Sequence, residues 1–174
     1  MNYFKEIEIS NFAKIKDRSK NYFSKWPSLP IGFTLLDKNK FLNFCPELLH
    51  GLTEANIIPK LIGVYITFNQ TDSKVHIDYL NPNWNQCRLN IPVLNTEGSR
   101  TEFYSGGNFK EVTQSNGLKY LESIDNSYIK ETEIELKNPT ILRIQTPHRV
   151  NTNLKNTPRI CLTIFTEIDL VNFL

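Results

Sequence analysis

Three residues of this chain have side chains and spacing that could bind a metal ion. His76 and Asp78 are separated by one residue in the segment 74–78, in which polar and apolar residues alternate. Because residues i and i+2 of a strand point to the same face, the imidazole and the carboxylate can converge. His148 follows the apolar segment 140–146 and therefore lies at the end of a predicted strand. Two imidazoles and one carboxylate form the facial ligand set of non-haem Fe(II) sites.

We therefore predict that His76, Asp78 and His148 bind one ferrous ion and form the catalytic centre. This ligand set occupies one face of the metal and leaves the opposite positions open for a chelating co-substrate and for oxygen. The simpler alternative for His76 and Asp78 is a hydrogen-bonded pair on a solvated face. The third histidine, His50, lies in a segment with helical periodicity, and we interpret it as a helix residue outside the site.

Arg159 follows His148 by eleven residues and begins the next predicted strand. An arginine that points into the same site needs an anion, because a buried guanidinium without one is costly. A keto dicarboxylic acid would meet this need: its keto-acid end chelates iron, and its far carboxylate pairs with the guanidinium. The alternative for Arg159 is a surface ion pair with an acidic residue.

The elements around these residues predict a β-domain behind a helical N-terminal region. Apolar residues recur at helical spacing over residues 39–56, and Pro46 marks a kink or a new helix start. From residue 61 onward, short alternating or β-branched segments are separated by Asn, Gly, Pro and Ser turns. We predict a mainly β chain with N-terminal helices and a jelly-roll core. Residues 1–60 form a helical support region and residues 61–174 the core, within one structural domain overall.

Composition limits the classes of partner. The 174 residues carry 20 basic and 18 acidic side chains, a net charge of +2, which does not favour nucleic acid or an anionic membrane as a partner. The first residues contain no apolar segment typical of a secretory signal. Cys45, Cys87 and Cys161 fit neither a disulfide framework nor a zinc finger, so we expect reduced thiols in a cytoplasmic protein.

His76-x-Asp78, His148 and Arg159 together resemble the motif of Fe(II)- and 2-oxoglutarate-dependent oxygenases, in the branch of the prolyl and aspartyl hydroxylases. The segment 88–95 also resembles their third core strand, and Thr101-Glu-Phe103 resembles part of a further element of the branch. The resemblance implies a double-stranded β-helix, the cupin-like jelly roll. It also implies Fe(II), 2-oxoglutarate and O2 as cofactors, and a dioxygenase that hydroxylates a C–H bond. The substrate would be an amino acid, a peptidyl group or another small polar molecule.

The resemblance suggests further contacts to 2-oxoglutarate. Arg88 is similar to a strand residue that reaches the carboxylate next to iron in aspartyl hydroxylase-like proteins, although it could equally face outward. The far carboxylate needs a second partner beside Arg159, because Cys161 stands where some members have a serine. The candidates for this second contact are Asn90, Tyr104 and Thr163.

The segment after the first two ligands is expected to lie at the mouth of the site. Loops at the rim of a rigid β-scaffold often recognise substrate, so Tyr79 and Trp84 are candidate substrate contacts. A hairpin loop with one aromatic residue packed back onto the core is an equal alternative. The Gly- and Asn-rich stretch 105–126 is interpreted as a lid or an insertion.

Two other functions remain open at this point. A cupin-like isomerase or 2-oxoglutarate-independent dioxygenase would share the jelly roll, but it usually carries an additional His or Glu ligand near the first motif, and Arg159 would then have no role. A non-catalytic β-sandwich binding domain would hold no iron.

Overall fold

Two antiparallel six-stranded sheets face each other across the interior of the protein. The structure is a computed structural model, and it describes residues 2–68, 74–78, 85–113, 119–152 and 157–174. The first sheet contains, in spatial order, β1 (Phe4–Glu6), β10 (Thr140–Arg143), β5 (Cys87–Leu94), β12 (Arg159–Thr166), β3 (Pro59–Thr67) and β2 (Gly32–Leu35). The second sheet contains β7 (Phe109–Thr113), β8 (Lys119–Ser123), β4 (His76–Ile77), β11 (His148–Thr152), β6 (Ser99–Gly106) and β9 (Tyr128–Glu135).

Eight of these strands form the jelly roll. They are β3 to β6 and β9 to β12, and along the chain they pass between the two sheets at almost every step. The first sheet of the roll has the order β10-β5-β12-β3 and the second has β4-β11-β6-β9. The expected mainly β fold with N-terminal helices and a jelly-roll core is confirmed.

The outer face of the first sheet is covered by the N-terminal helices. These are α1 (Phe12–Ser24), α2 (Lys38–Phe44) and α3 (Pro46–Glu54), and a 3-10 helix (Leu170–Phe173) ends the chain. Asp37 caps α2 by accepting a hydrogen bond from the Lys40 amide, and Pro46 occupies the first turn of α3, so it starts a new helix. Gly51 permits close packing of α3, because a Cβ there would lie 2.5 Å from Ile9 Cγ2.

Strand alternation gives the first sheet one apolar face and one face that carries the site. On β12 the even-numbered residues from 160 to 164 join the large core beneath the helices. The odd-numbered residues line the interior between the sheets: Arg159, Cys161, Thr163 and Phe165. On β5, Leu89, Ile91 and Val93 likewise join the core beneath the helices. A second, smaller core closes part of the interior and includes Phe103, Leu136 and Leu142.

Two features of the fold differ from the sequence expectation, whereas the cysteines agree with it. The N-terminal region also supplies β1, which pairs with β10, and β2, which pairs with β3. The stretch 105–126 contains the paired strands β7 and β8, which extend the second sheet beside β4. All three cysteines are buried free thiols, and Cys161 lines the interior. Among the described residues, no helix is long and apolar enough to cross a membrane.

Candidate metal and co-substrate site

His76, Asp78 and His148 meet on the inner face of the second sheet. His76 on β4 and His148 on β11 are direct cross-strand partners, and their ring centres lie 4.5 Å apart. Asp78 follows β4 immediately, and its amide donates to the Ile144 carbonyl at 3.2 Å. The one-residue spacing of His76 and Asp78 therefore places both side chains on one side of the strand, as predicted.

The three side chains present their donor atoms to one point. Asp78 Oδ1 lies 3.5 Å from His76 Nε2 and 4.0 Å from His148 Nε2. One donor atom from each residue lies within 4.8 Å of the others. Metal bonds of about 2.0–2.2 Å at right angles place neighbouring donors about 3 Å apart, so this set fits a metal ion after small side-chain adjustments. Among the described residues no further His, Cys, Asp or Glu joins the group.

Hydrogen bonds to backbone carbonyls determine which ring nitrogen of each histidine is available to bind a metal. His76 Nδ1 lies 2.9 Å from the Lys74 carbonyl, and His148 Nδ1 lies 2.8 Å from the Thr146 carbonyl. A carbonyl only accepts, so Nδ1 carries the proton in both rings and Nε2 keeps its lone pair. Bonds of this kind orient metal-binding histidines in proteins. Both rings are thus fixed in the tautomer that leaves Nε2 for a metal.

The protonation states favour cation binding. Burial lowers the pKa of His148 to about 4, and the neighbouring His76 adds to this effect. Burial raises the pKa of Asp78, but the Arg88 guanidinium and the two imidazoles outweigh it, so this pKa lies below its usual value. At neutral pH the site therefore offers a neutral His148 and an ionised Asp78.

Arg88 faces the interior and contacts a member of this group. Its Nη1 donates to Asp78 Oδ2 at 2.9 Å, and its guanidinium carbon lies 4.2 Å from the centre of the Phe165 ring. The outward-facing alternative for Arg88 is wrong. A contact with 2-oxoglutarate stays a prediction.

Arg159 lies in the first sheet and faces the same interior as the histidines. β11 and β12 are consecutive strands, but they belong to opposite sheets, so His148 and Arg159 are not on neighbouring strands of one sheet. Arg159 is 3% exposed, and its Nε donates to Ser99 Oγ at 2.8 Å. Among the described residues no carboxylate forms an ion pair with Arg159. Ser99 therefore orients the guanidinium, whose two Nη groups form the fork that pairs with a carboxylate.

The interior between the sheets is a cavity of about 370 Å³. It is lined by all three candidate metal ligands and by Arg88 and Arg159. Asn90 and Thr163 also line it, and the Thr163 hydroxyl donates to Asn90 Oδ1 at 3.0 Å. The structure therefore brings seven of the predicted site residues to one cavity: His76, Asp78, Arg88, Asn90, His148, Arg159 and Thr163.

Two polar residues of the cavity were not predicted from the sequence. The Thr101 hydroxyl is buried and has no hydrogen-bond partner among the described residues. Tyr65 on β3 lines the cavity, and burial raises its pKa, with a further contribution from Asp78. The tyrosine hydroxyl, like that of Thr101, has no hydrogen-bond partner within the described part of the chain. A buried polar group without a partner is costly, so the Thr101 hydroxyl suits a polar ligand, and the half-buried Tyr65 offers a second hydroxyl to the cavity.

Several solved structures share this architecture, including two that align over most of this chain. EvdO2 from Micromonospora carbonacea var. aurantiaca, determined in complex with 2-oxoglutarate, is 14% identical, with a TM-score of 0.54 over 93% of this chain and 86% of that one. AviO1 from Streptomyces viridochromogenes is 10% identical, with a TM-score of 0.52 over 95% and 89%. This chain has the same fold as these two proteins. No known protein-family model matches the sequence, and no curated protein is similar to it at a significant level.

Tyr104 does not belong to the cavity, which corrects its predicted role. On β6, Thr101 lines the cavity and Phe103 joins the inner core, whereas Glu102 and Tyr104 lie outside both. The Tyr104 hydroxyl donates to Glu102 Oε2 at 2.6 Å. Alternation along the strand therefore removes Tyr104 from any contact with a co-substrate in this interior.

Glu102 is held by three donors, and its replacement should cost stability in a pH-dependent way. Burial raises its pKa, but hydrogen bonds from Tyr104, Lys130 and Arg149 outweigh burial and lower the pKa to about 2. Against an unfolded value of about 4.3, this difference corresponds to about 2–3 kcal/mol at pH 7. Because the folded pKa is the lower one, this stability is present above pH 5 and is lost as the pH falls toward 2. We expect Glu102→Gln to unfold more easily in urea at pH 7 and to approach the parent near pH 2.

The matched control for this prediction is Glu8→Gln. Glu8 is exposed, so its replacement should change the free energy of unfolding by less than about 0.5 kcal/mol at either pH. A Glu102→Gln penalty that is the same at pH 7 and pH 2.5 would contradict the proposed ionic network.

The part of the cavity wall beside His76 is formed partly by β8. Glu122 on β8 is the cross-strand neighbour of His76 on β4. The Glu122 Oε1 atom lies 2.8 Å from Lys74 Nζ. The Tyr120 hydroxyl donates to Glu122 Oε2 at 3.0 Å, and the Tyr120 ring lies edge-on to His76 with 6.1 Å between ring centres. The predicted substrate contacts Tyr79 and Trp84 lie outside the described residues.

Proposed function

We propose that this chain is an Fe(II)- and 2-oxoglutarate-dependent dioxygenase that hydroxylates a C–H bond. The observation that carries the proposal is the convergence of His76, Asp78 and His148 on a cavity whose opposite wall presents Arg159. The jelly-roll fold supports it, as does the likeness to EvdO2, which was solved with 2-oxoglutarate. Fold alone carries many functions, so the weight rests on the site.

The residues divide into a metal group and a co-substrate group. His76 Nε2, His148 Nε2 and one oxygen of Asp78 would hold Fe(II), because two imidazoles and a carboxylate match its non-haem sites. Arg159, held by Ser99, would bind the carboxylate of 2-oxoglutarate remote from the metal. Tyr65 and Thr101 offer hydroxyls to the same anion, and the pair Asn90 and Thr163 offers a further polar edge.

Bound Fe(II) and 2-oxoglutarate would activate O2, which is the oxidant; one oxygen atom would enter succinate, formed with CO2, and the other would enter the hydroxylated product. This chain's own residues bind, orient and partly dehydrate the reactants. Arg159 is 3% exposed and His148 is 7% exposed, so charge interactions there are stronger than in open water. The neutral state of His148 keeps a lone pair at Nε2 at physiological pH.

The cavity favours a small polar substrate, in free or peptidyl form. Its volume of about 370 Å³ lies in the range of small-molecule sites, about 300–1,000 Å³, and 2-oxoglutarate would occupy part of it. Tyr120, Glu122 and Lys74 offer polar groups beside His76. We propose an amino-acid, peptidyl or similar substrate in a cytoplasmic setting, with no role for nucleic acid or membrane.

Anaerobic titration of the Fe(II)-loaded protein with 2-oxoglutarate tests the function. We expect a visible charge-transfer band that saturates at one co-substrate per iron, because a keto acid chelating Fe(II) produces such a band. Admission of air should then yield succinate in step with loss of 2-oxoglutarate. The matched control is protein without metal, which should show neither the band nor turnover.

The two alternative functions give different results in this experiment. A cupin-like enzyme would bind the metal but would show no spectral response to 2-oxoglutarate. A non-catalytic binding domain would retain no stoichiometric iron after gel filtration. Either result would contradict the proposed function.

A further inference from the structure

Arg88 contacts Asp78 from the opposite sheet. Arg88 lies on β5 of the first sheet, between β10 and β12, whereas Asp78 follows β4 of the second sheet. Their ion pair, 2.9 Å between Arg88 Nη1 and Asp78 Oδ2, therefore crosses the cavity and ties the two sheets together. The side chains are 13% and 23% exposed, so solvent weakens this pair less than a surface one.

The ion pair gives the two oxygens of the Asp78 carboxylate different partners. Oδ2 faces Arg88, whereas Oδ1 lies 3.5 Å from His76 Nε2 and 4.0 Å from His148 Nε2. A carboxylate can bind a cation through one oxygen or through both. With Oδ2 held by the guanidinium, Asp78 offers only Oδ1 to a metal between the imidazoles.

Arg88 is held more firmly by the fold than Asp78, the candidate metal ligand that it contacts. Arg88 is part of a strand paired on both sides, and its guanidinium stacks over the Phe165 ring at 4.2 Å. β4 has only two residues, and within the described residues the backbone hydrogen bond at Asp78 is the one from its amide to the Ile144 carbonyl at 3.2 Å. The side-chain contact with Arg88 supplies the orientation that so short a strand cannot.

We propose that Arg88 is a positioning residue that holds Asp78 as a one-oxygen metal ligand and so keeps the remaining coordination positions open. The inference rests on the metal-binding part of the proposed function. A guanidinium so close to a metal also repels the cation, which alone would weaken binding. Partners of metal ligands nevertheless typically contribute 10- to 100-fold to metal affinity through orientation, and we expect orientation to dominate here.

The test uses Co(II) alone, titrated into the full chain, with affinity and the visible Co(II) spectrum as readouts. Arg88→Ala should bind Co(II) about 10- to 100-fold more weakly than the parent. Its spectrum should also change, because Asp78 would be able to bind through both oxygens. A residue that served only the stability of the fold would change the melting temperature and leave the spectrum of the bound metal as in the parent.

Two further variants sharpen the test. Arg143→Ala is the matched control: Arg143 lies on the neighbouring strand β10, opposite Cys87, and hydrogen-bonds to Gln86 and to the Asn2 carbonyl. It should bind Co(II) with the affinity and spectrum of the parent. Arg88→Lys keeps the charge without the fork, and it should recover part of the affinity. If Arg88→Ala does not fold, Arg88→Lys and Arg88→Gln carry the same comparison.

The possible outcomes distinguish failure of the role of Arg88 from failure of the proposed metal site. No Co(II) binding by the parent protein would overturn the metal site itself. Tight binding by the parent and equal affinity and spectrum in the Arg88 variants would overturn the role of Arg88 and leave the metal site intact. An equal loss in Arg143→Ala would also overturn it, because the effect would then not depend on contact with Asp78.

Discussion

Alanine at His76, Asp78 or His148 is expected to remove stoichiometric Fe(II) binding in each single variant. Each side chain supplies one of three donor atoms that lie within 4.8 Å of one another, and we expect the two that remain to bind Fe(II) too weakly to retain it through desalting. The fold should persist, because the large core beneath the helices contains none of the three residues. The measurement is iron per chain after anaerobic loading and desalting, beside the circular dichroism spectrum of each variant.

His50→Ala is the matched control for the loss of a histidine. His50 lies on α3, its side chain is 62% exposed, and it contacts Glu54 at 3.2 Å. This variant should retain as much iron as the parent. A full equivalent of Fe(II) in all three site variants would show that the metal binds at another place in the protein.

Arg159→Ala is expected to weaken 2-oxoglutarate binding by about one and a half to three and a half decades. Breaking a buried, charge-assisted pair costs about 2–5 kcal/mol, largely because the carboxylate stays desolvated without a partner. At about 1.4 kcal/mol per factor of ten, this cost gives the stated range. Iron affinity should change little, because Arg159 hydrogen-bonds to Ser99 and is not among the candidate ligands. The measurement is the anaerobic titration of Fe(II)-loaded protein described above.

Arg159→Lys distinguishes charge from geometry in the same titration. Lysine keeps the positive charge but has no planar fork, so its affinity for 2-oxoglutarate should fall between those of the parent and Arg159→Ala. Arg143→Ala, on β10 of the same sheet, should bind as the parent does. Parent-like affinity in Arg159→Ala would remove Arg159 from the co-substrate site and would favour the cupin-like function.

The metal group could be predicted from the sequence because its geometry is local. Asp78 directly follows the strand that carries His76, and the two-residue period alone places the two side chains together. The start of β12 at Arg159 was also predicted, since residues 160–166 after it are continuously apolar or β-branched. The convergence of His148 with the pair depended on the jelly roll, which the strand spacing favoured.

The residues that the sequence did not reveal depend on long-range packing. Tyr65 lies within an apolar segment, where a tyrosine is indistinguishable from a core residue until the sheet faces are known. The contact of Arg88 with Asp78 joins opposite sheets, so no spacing rule predicts it. Tyr104 is three residues from Thr101 on β6, so the two side chains point to opposite faces of the sheet. The two-residue period of a strand is therefore enough to exclude Tyr104 from the side that carries Thr101. β7 and β8 lie in a stretch rich in Gly, Asn and Ser and carry little strand signal.

On β12, consecutive residues alternate between the core, where they stabilise the fold, and the cavity, where they can contact a ligand. Ile160, Leu162 and Ile164 belong to the core, while the residues between them belong to the cavity. An inserted or deleted residue within the strand would exchange these two sets for the part of the strand that shifts, so that apolar residues would face the cavity and polar residues the core. Point substitutions at odd positions leave the apolar face intact. The ligand preference of this strand can therefore diverge by replacement, whereas its length is constrained.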